Sequence, residues 1–358
     1  MNIDHVHFYV EDAWQWQKWL GQKFRFQCVG CCPSPHTITL VVGTPTIQFR
    51  LSSPLSEASP VAHYLRLHPP GVADLAFRVT DLAATVQQAV QAGAKLLQPI
   101  QTEVIQTKSL NSEQKSAQIS GWGDLRHTLI EENGYNNFTL TDSGLGWVGI
   151  DHVVLNVAKG DLDRAITWYE TALGLQRRQS FAIQTEYSAL CSQVLTHPNG
   201  SVQFPINQPA SASSQIQEFL DVNRGAGIQH IALRTAAILP TIAYLRQQGV
   251  LFLPVPQHYY QQLRQRNGFK LGLLDWQAVA QQQVLVDWQP QTPQAILLQA
   301  FTQPIFEQPT FFFELIERHS YQAEQGVQVA EGFGEGNFRA LFEAIEREQI
   351  KRGSLKVK

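Results

Sequence analysis

TFFFELIER, residues 310–318, has the pattern of a buried β-strand with a carboxylate in its middle. Because side chains alternate along a strand, Glu314 shares one face with Phe312 and Ile316, and the opposite face is also apolar around it. An unpaired carboxylate in such surroundings costs several kcal/mol. We therefore expect Glu314 to have a cationic, hydrogen-bonding or metal partner elsewhere in the chain.

The composition is that of a globular protein of 358 residues, long enough for two domains of ordinary size. The net charge is −3 and no basic block occurs, which argues against nucleic acid or an anionic membrane as partner. No apolar run is long enough for a membrane span. The chain opens directly in a strand pattern, without a signal peptide, and its four cysteines make a poor disulfide framework, so a cytoplasmic protein is expected.

An internal repeat places Glu314 in a larger pattern. NIDHVHFYV (residues 2–10) is matched by GIDHVVLNV (149–157), and GVADLAFR (71–78) is matched by GIQHIALR (227–234). A third match aligns HTLIEE, ending at Glu132, with PTFFFE, ending at Glu314. Such self-similarity indicates a duplicated chain.

The repeat predicts an α+β fold of two tandem, open β-barrel-like halves, each built from two βαβββ units. We expect an N-terminal domain at 1–135, a linker at 136–148 and a C-terminal domain at 149–358. The second and third matched segments lie further apart in the second half than in the first. This predicts an insertion in the second half after about Pro254, with a helical stretch from His258 to Gln283.

A C-terminal helix follows a glycine-rich turn in GFGEGNFRALFEAIEREQIKRG, residues 332–353. Phe338, Leu341, Phe342 and Ile345 recur at helical spacing and form one apolar stripe. We expect the helix to lie against the C-terminal domain with this stripe inward.

The repeated strands of the second half place His152, His230 and Glu314 at matching positions. Two imidazoles and one carboxylate converging in a barrel make a metal site with open positions, a donor set that suits Fe(II), with Zn²⁺ as the chemical competitor. Any one of these histidines alone is more often a hydrogen-bonded core residue. In the first half the matching residues are His5, Asp74 and Glu132, which could bind metal in principle, but we predict a degenerate half without metal.

Five polar residues are further candidates for the lining of a pocket near the metal. They are Ser192, Asn207, Gln215, Gln229 and Gln299. For each one alone, a solvated or strand-edge side chain is the simpler interpretation.

These motifs resemble the 4-hydroxyphenylpyruvate dioxygenase family, of the vicinal oxygen chelate (glyoxalase/bleomycin resistance-like) superfamily. The resemblance extends over almost the full length and rests on IDHVVLNV, on SQIQEFL followed by GAGIQHIAL, on LLQAFTQP followed by PTFFFELIER, and on GFGEGNF. Together these motifs are highly specific, whereas the first alone indicates only the superfamily.

The resemblance implies an enzyme with one Fe(II) per chain held by His152, His230 and Glu314. It also implies conversion of 4-hydroxyphenylpyruvate and O₂ to homogentisate and CO₂, by oxidative decarboxylation, ring hydroxylation and side-chain migration. The product would serve tyrosine degradation or the supply of homogentisate for tocopherol and quinone synthesis. A homodimer or homotetramer is implied as well.

The resemblance also implies roles for individual side chains. Gln215, Gln229 and Gln299, with Ser192 and Asn207, would form the catalytic polar set. Phe301, Phe312, Phe333, Asn337 and Phe338 would bind or enclose the substrate, and the C-terminal helix would act as a lid. One departure is Glu335, which stands where the family commonly has a lysine.

Three alternatives stay open at this point. A 4-hydroxymandelate synthase uses the same substrate and metal but hydroxylates the benzylic carbon. An extradiol ring-cleaving dioxygenase uses the same ligand triad with a catechol. A metal-free binding or resistance protein of the same fold would use its cavity without redox chemistry.

Overall fold

The computed structural model describes residues 1–106, 111–131, 140, 143–270, 272, 274–323 and 326–355. Two eight-stranded sheets follow one another along the chain, and each curls into a half-barrel. Each half contains the two predicted βαβββ units, so the predicted fold class is confirmed.

The first half begins at Asn2 and ends at Glu131. Its strand order is β2-β3-β4-β1-β5-β8-β7-β6. Its elements are β1 (Asn2–Tyr9), α1 (Ala13–Phe24), β2 (Gln27–Pro33), β3 (Thr37–Gly43), β4 (Gln48–Pro54), α2 (Pro60–Leu67), β5 (Gly71–Val79), α3 (Leu82–Gln91), β6 (Leu96–Gln106), β7 (Asn111–Ser120) and β8 (Arg126–Glu131).

The second half repeats this order as β10-β11-β12-β9-β13-β16-β15-β14. Its elements are β9 (Trp147–Asn156), α4 (Leu162–Leu173), β10 (Gln176–Gln184), β11 (Ala189–Thr196), β12 (Gln203–Pro209), α5 (Gln215–Asn223), β13 (Gly227–Thr235), α6 (Ile238–Gln247), α7 (Gln257–Leu263), α8 (Trp276–Gln281), β14 (Leu285–Gln289), β15 (Thr292–Phe301) and β16 (Phe312–Arg318). A hairpin of β17 (Ser320–Ala323) and β18 (Gly326–Val329) and the helix α9 (Glu335–Arg352) complete the chain.

The two units of each half meet at an antiparallel seam, β1 with β5 and β9 with β13. On either side of the seam the next strand pairs in parallel, β12 beside β9 and β16 beside β13 in the second half. This arrangement brings β9, β13 and β16 side by side. The three strands that hold the predicted metal ligands are therefore neighbours.

The register of the strands corrects one predicted match. Asp74 pairs with Arg126 between β5 and β8, as His230 pairs with Phe312 between β13 and β16. Two residues further on, Thr128 occupies the position of Glu314, so the predicted match between Glu132 and Glu314 is wrong. The sequence match followed the shared carboxylate, whereas the register is set by backbone pairing. Glu132 itself lies outside the described residues.

The two halves share one apolar core. Phe8 of β1 contacts Phe311 beside β16 with ring centroids 5.1 Å apart, and Phe49 of β4 stacks on Phe313 at 5.8 Å. The apolar face of TFFFELIER opposite Glu314 therefore packs against the first half. Glu314 faces the interior of the second half.

The predicted insertion lies where expected, with α7 and α8 between α6 and β14. Residues 136–139, 141 and 142 of the predicted linker at 136–148 lie outside the described residues, and β9 already begins at Trp147. Among the described residues, no helix is long and apolar enough to cross a membrane.

Candidate functional site

His152, His230 and Glu314 converge inside the second half-barrel. One potential ligand atom from each lies within 4.8 Å of the other two, and this is the group in the described part of the chain that could hold a metal ion. His152 Nε2 lies 3.1 Å from Glu314 Oε2, and His230 Nε2 lies 3.6 Å from the same oxygen. All three residues are buried.

A β-bulge in β13 sets the direction of the His230 side chain. The pairing of β13 with β9 shifts register between Ile228 and His230, at Gln229. Such a bulge redirects side chains, and both Gln229 and His230 consequently line the same cavity. Without the shift, neighbouring residues of a strand would face opposite sides of the sheet.

Glu314 and His152 are each oriented by a hydrogen bond from the far side, whereas His230 is held by a ring contact. Gln299 Nε2 donates to Glu314 Oε1 at 2.9 Å, which leaves Oε2 facing the two imidazoles. Asp151 Oδ1 lies 3.0 Å from His152 Nδ1. A neutral His152 that donates from Nδ1 to Asp151 has its Nε2 lone pair free for a metal. His230 stacks on Phe312 with ring centroids 4.8 Å apart.

Without a metal, the positive charge of His152 and the negative charges of Glu314 and Asp151 stabilise one another. Burial alone would lower the pKa of His152, but the carboxylates of Glu314 and Asp151 outweigh it and raise that pKa to about 9. Burial would raise the pKa of Glu314, but the two histidines lower it to about 2. A metal ion must therefore displace a proton from His152, as expected for ligands that bind metals only when deprotonated.

This donor set fits a divalent metal. Two imidazole nitrogens and one carboxylate oxygen face a common point and leave the cavity side free for further ligands. Protein sites with two histidines, one carboxylate and open positions bind non-haem Fe(II), and Zn²⁺ accepts the same donors. The predicted ligands are thus brought together.

A cavity opens from the ligands. Nine of the ten other predicted site residues line it. They are Ser192, Asn207, Gln215, Gln229, Gln299, Phe301, Phe312, Phe333 and Phe338. The cavity therefore combines the predicted amides with the predicted aromatic rings.

The polar side chains at the two ends of the cavity are separated by strand geometry. Asn207 pairs with Ser192 on β11 and with Asn156 on β9, so these residues form a row across three strands. Asn156 lies four residues after His152, which corresponds to about 13 Å along a strand. The row thus faces a different end of the cavity from the metal ligands.

The helix α9 covers the cavity as a lid. Its predicted stripe of Phe338, Leu341, Phe342 and Ile345 lines the cavity, which confirms the predicted orientation. Phe181 of β10 contacts Phe338 with ring centroids 5.0 Å apart. At the other end of the helix Arg352 pairs with Glu218 of α5 at 2.9 Å.

Two glycines of the turn before and at the start of α9 permit close contacts. A Cβ on Gly334, whose φ is +77°, would lie 1.9 Å from Gln299 Oε1. A Cβ on Gly336 would lie 2.4 Å from Asp287 Oδ1, whose carboxylate accepts from the Gly336 backbone N–H at 2.9 Å. The lid can approach the site this closely because these positions have no side chain.

Asn337 is placed differently from the other predicted substrate contacts. Its Nδ2 donates to Gln299 Oε1 at 2.8 Å, and its Oδ1 accepts from the Tyr259 hydroxyl at 2.7 Å. Gln299 also donates to the Phe333 carbonyl at 2.9 Å. Both ends of the Gln299 amide therefore bond protein groups, and Gln299 links the ligand Glu314 to the lid.

The apolar walls of the cavity and the Asp151–Arg318 pair behind His152 were not predicted from the sequence. The walls include Phe181, Ile183, Leu190, Val194, Pro205 and Ile216. Their periodicity is that of ordinary core strands and one helix, so nothing in the sequence marks them. Asp151 precedes His152 directly, and Arg318 ends TFFFELIER, but their ion pair at 2.7 Å follows only from the fold.

Comparison with known proteins agrees with this site. A profile of the Glyoxalase/Bleomycin resistance protein/Dioxygenase superfamily matches residues 149–270. An uncharacterized protein from Synechocystis sp. is 38% identical, covering 97% of each chain. The 4-hydroxyphenylpyruvate dioxygenase of Yarrowia lipolytica is 36% identical, covering 98% of this chain and 93% of the relative.

Solved structures show the same architecture. A triple mutant of 4-hydroxymandelate synthase from Streptomyces coelicolor superposes with a TM-score of 0.81 at 26% identity, covering 97% of this chain and 98% of that one. Full-length relatives at 36% identity, the shared fold and the assembled ligand triad lead to one conclusion. The chain belongs to the 4-hydroxyphenylpyruvate dioxygenase family of enzymes.

Proposed function

We propose that this protein is an Fe(II)-dependent dioxygenase that converts 4-hydroxyphenylpyruvate and O₂ to homogentisate and CO₂. The observation that supports this most directly is the group of His152, His230 and Glu314 in a covered cavity whose lining also holds buried amides. The named dioxygenase relatives supply the substrate class.

The metal would be held by His152 Nε2, His230 Nε2 and Glu314 Oε2. Bound there, Fe(II) would supply coordination of the α-keto acid and redox activation of O₂. The protein keeps the coordinating oxygen of Glu314 in place through Gln299, which holds the other oxygen. It keeps His152 in the tautomer that binds metal through Asp151.

The far end of the cavity suits a phenol. Gln215 Oε1 is buried and has no hydrogen-bond partner among the described residues, although it belongs to a side chain that lines the cavity. Such an acceptor costs about 1–3 kcal/mol until it receives a donor. A phenolic hydroxyl is a donor of the right kind, and Ser192 and Asn207 provide further polar partners.

The substrate ring would lie among aromatic side chains. Phe301 and Phe312 lie on neighbouring strands with ring centroids 6.3 Å apart, and Phe333 and Phe338 close the cavity from the lid side. A ring held by these groups keeps one orientation relative to the ligands, and the lid keeps water from the reacting centre.

4-Hydroxymandelate synthase chemistry is the second candidate, because a synthase of that name has the same fold at a TM-score of 0.81. Both reactions consume the same substrate and O₂ and release CO₂, so the product distinguishes them. The dioxygenase relatives have higher identity to this chain, and homogentisate is therefore the expected product.

The test is a product assay with purified protein, Fe(II), O₂ and 4-hydroxyphenylpyruvate. Homogentisate as the main product supports the proposal, and 4-hydroxymandelate would replace it with the second candidate. Ring cleavage of a catechol by the same preparation, without turnover of 4-hydroxyphenylpyruvate, would contradict both. Metal analysis should give about one iron per chain, and full activity with Zn²⁺ in place of iron would refute the redox role.

Assembly and location remain predictions. A homodimer or homotetramer would be tested by light scattering of the purified protein, and a cytoplasmic location by fractionation. The proposed pathway role in tyrosine degradation or homogentisate supply would follow from the phenotype of a deletion strain.

A further inference from the structure

We propose that Arg318 is a positioning residue that couples the seating of the lid to the orientation of the ligand His152. The proposal rests on the metal site described above and adds a link between that site and the lid. Arg318 lies at the end of β16, four residues after Glu314 and on the same face of the strand.

Arg318 holds the partner of His152 through a two-pronged ion pair. Its Nε donates to Asp151 Oδ2 and its Nη2 donates to Asp151 Oδ1, both at 2.7 Å. Asp151 Oδ1 in turn lies 3.0 Å from His152 Nδ1. All three side chains are almost fully buried, with 3–6% exposure for the ion pair and His152. In such a dry site a two-pronged pair fixes direction as well as charge.

The remaining nitrogen of Arg318 bonds the segment that enters the lid. Nη1 donates to the backbone carbonyls of Ala330 at 3.0 Å and Gly332 at 2.9 Å. The next residue, Phe333, packs against His152 with ring centroids 5.3 Å apart. Its carbonyl accepts from Gln299, which also holds Glu314. Residues 330–333 are therefore bonded to the supports of two ligands at once.

The first half provides the contrast that makes this arrangement informative. There Asp4 lies beside His5, as Asp151 lies beside His152, but its arginine partner is Arg78 of β5. The counterpart of Arg78 is Arg234 of β13, which borders the same polar cavity as Asp151 and Arg318 but makes no ion pair with Asp151. In the second half Asp151 is held instead from β16, by the arginine that also reaches residues 330 and 332.

The consequence is a reciprocal coupling. If seating of residues 330–333 stabilises the Arg318–Asp151–His152 arrangement, then metal binding must stabilise the seated lid by the same free energy. The metal-bound state should therefore have a more protected lid than the metal-free protein. Loss of the two-pronged ion pair of Arg318 should weaken metal binding and reduce the protection of the lid from hydrogen exchange.

The experiment compares wild type with Arg318→Lys, using Co(II) as an oxygen-stable probe of the ligands. Lysine keeps the positive charge beside Asp151, so the buried carboxylate is not left alone, but one ammonium cannot serve Asp151 and two carbonyls together. Co(II) affinity is read from its visible absorption, and hydrogen exchange of residues 335–352 is measured with and without Co(II).

We expect Co(II) affinity to fall by about 10–100-fold in Arg318→Lys, the range typical for partners of metal-binding histidines. We also expect the gain in lid protection on Co(II) binding to shrink. The matched control is Arg234→Lys, an arginine on the adjacent strand, which should behave as wild type in both measurements.

Three results would overturn the coupling. Wild-type affinity and wild-type lid protection in Arg318→Lys would do so, as would equal losses in Arg234→Lys. A loss of affinity with an unchanged gain in lid protection would leave Arg318 as a support of His152 alone. By contrast, a wild-type chain that binds no Co(II) would refute the metal site, and so the proposed function.

Discussion

The two halves of the molecule place different chemistry at equivalent positions. His5 corresponds to His152, Asp74 to His230, and Thr128 to Glu314. Phe301, which pairs with Glu314, corresponds to Gln118, which pairs with Thr128. The same scaffold thus holds two imidazoles and a carboxylate in one half and an aspartate with hydroxyl and amide donors in the other.

In the first half the buried carboxylate is satisfied by hydrogen bonds. Asp74 accepts from the Thr128 backbone N–H at 2.9 Å, from the Thr128 hydroxyl and from Gln118 Nε2 at 2.7 Å. Burial alone would raise the pKa of Asp74, but the two Thr128 donors, together with His7 and His5, lower it. A carboxylate with this many partners has little to gain from a metal ion.

In the second half the carboxylate is only half satisfied by the protein. Glu314 Oε1 accepts from Gln299, while Oε2 faces His152 and His230 at the cavity. The strand framework alone therefore does not make the site. The site depends on replacing nearby hydrogen-bond donors by a second imidazole and by open volume.

Replacing the ligand Glu314 should have the largest effect. In Glu314→Gln the anionic oxygen between the two histidines is lost, so we expect metal affinity to fall by more than about 100-fold, beyond the loss typical for a partner of a ligand. Turnover of 4-hydroxyphenylpyruvate should fall with it. Metal content after dialysis and the rate of CO₂ release measure the two effects.

The matched control is Thr128→Ala, at the same position of the first half. It removes a hydroxyl from Asp74, so it should reduce the free energy of unfolding by about 1–3 kcal/mol and leave the metal content unchanged. Loss of metal in this variant would show that the first half contributes to metal binding, which would end the contrast between the halves.

A Cβ at Gly334 should have the next largest effect. In Gly334→Ala the added carbon would lie 1.9 Å from Gln299 Oε1, so the Gln299 amide must leave Glu314 or Asn337, or the lid must lift. We expect kcat/KM to fall at least about tenfold, which corresponds to about 1.4 kcal/mol. Steady-state kinetics and hydrogen exchange of α9 measure it.

Gly93 in the first half is the control for backbone strain. Its φ is +92°, and a Cβ there would meet no atom within 4 Å. Gly93→Ala should therefore have a comparable left-handed backbone cost of about 1–2 kcal/mol in stability, with kcat/KM unchanged. Equal kinetic losses in both variants would mean that strain, rather than contact with Gln299, explains the effect.

The sequence was sufficient to predict the elements that follow from local pattern. The duplication, the convergence of His152, His230 and Glu314 and the inward stripe of α9 could be predicted because similar strand motifs and helical spacing recur along the chain. The match of Glu132 to Glu314 failed because residue type alone cannot fix a register, which depends on backbone pairing between distant strands.

Contacts between distant segments could not be predicted from the sequence. The bonds of Asn337 to Gln299 and Tyr259 join β15, α7 and α9, and the Arg318 fork joins β16 to residues 330 and 332. Nothing in the local pattern of these residues distinguishes them from surface amides and charges. Asn337 lies at the start of the lid helix, and its role at the substrate stays a prediction.

Replacing Gln215, the first residue of α5, by the residue at the same position of α2 should have an intermediate effect on kcat/KM. Both α2 and α5 follow a serine cap, Ser59 or Ser214, but α2 begins with Pro60 and α5 with Gln215. Proline is well tolerated at the first position of a helix, and the extended backbone of Ser214, with ψ 139°, is compatible with a following proline.

Gln215→Pro therefore removes the unpaired acceptor in the cavity without breaking the helix. We expect no loss of stability, and a loss of about tenfold in kcat/KM for 4-hydroxyphenylpyruvate from one lost hydrogen bond of about 1–2 kcal/mol. With phenylpyruvate, which has no phenol, the variant and wild type should differ less. An equal loss with both substrates would refute contact between Gln215 and the phenol.

The smallest effect, on the free energy of unfolding, is expected for the aromatic side chains with which each half contacts the other. His127 of β8 bonds the Tyr169 hydroxyl of α4 at 3.0 Å, and its counterpart Phe313 stacks on Phe49 of the first half. Burial lowers the pKa of His127, although the Leu75 carbonyl opposes this. The neutral form is therefore favoured in the fold, and its contribution to stability is complete above the unfolded pKa of about 6.5.

That contribution should be lost as the pH falls through 6.5 toward the lower pKa of the folded state. In His127→Phe, which copies the second half, the free energy of unfolding should be lower than wild type at pH 7, and the gap should narrow by up to about 1 kcal/mol at pH 5.5. Urea titrations at both pH values measure the gap. The control is Phe313→Leu at the matching position, which should lower the free energy of unfolding by the same amount at both pH values because nothing there titrates. If the difference between His127→Phe and wild type is the same at both pH values, the His127 imidazole is not held neutral between the halves.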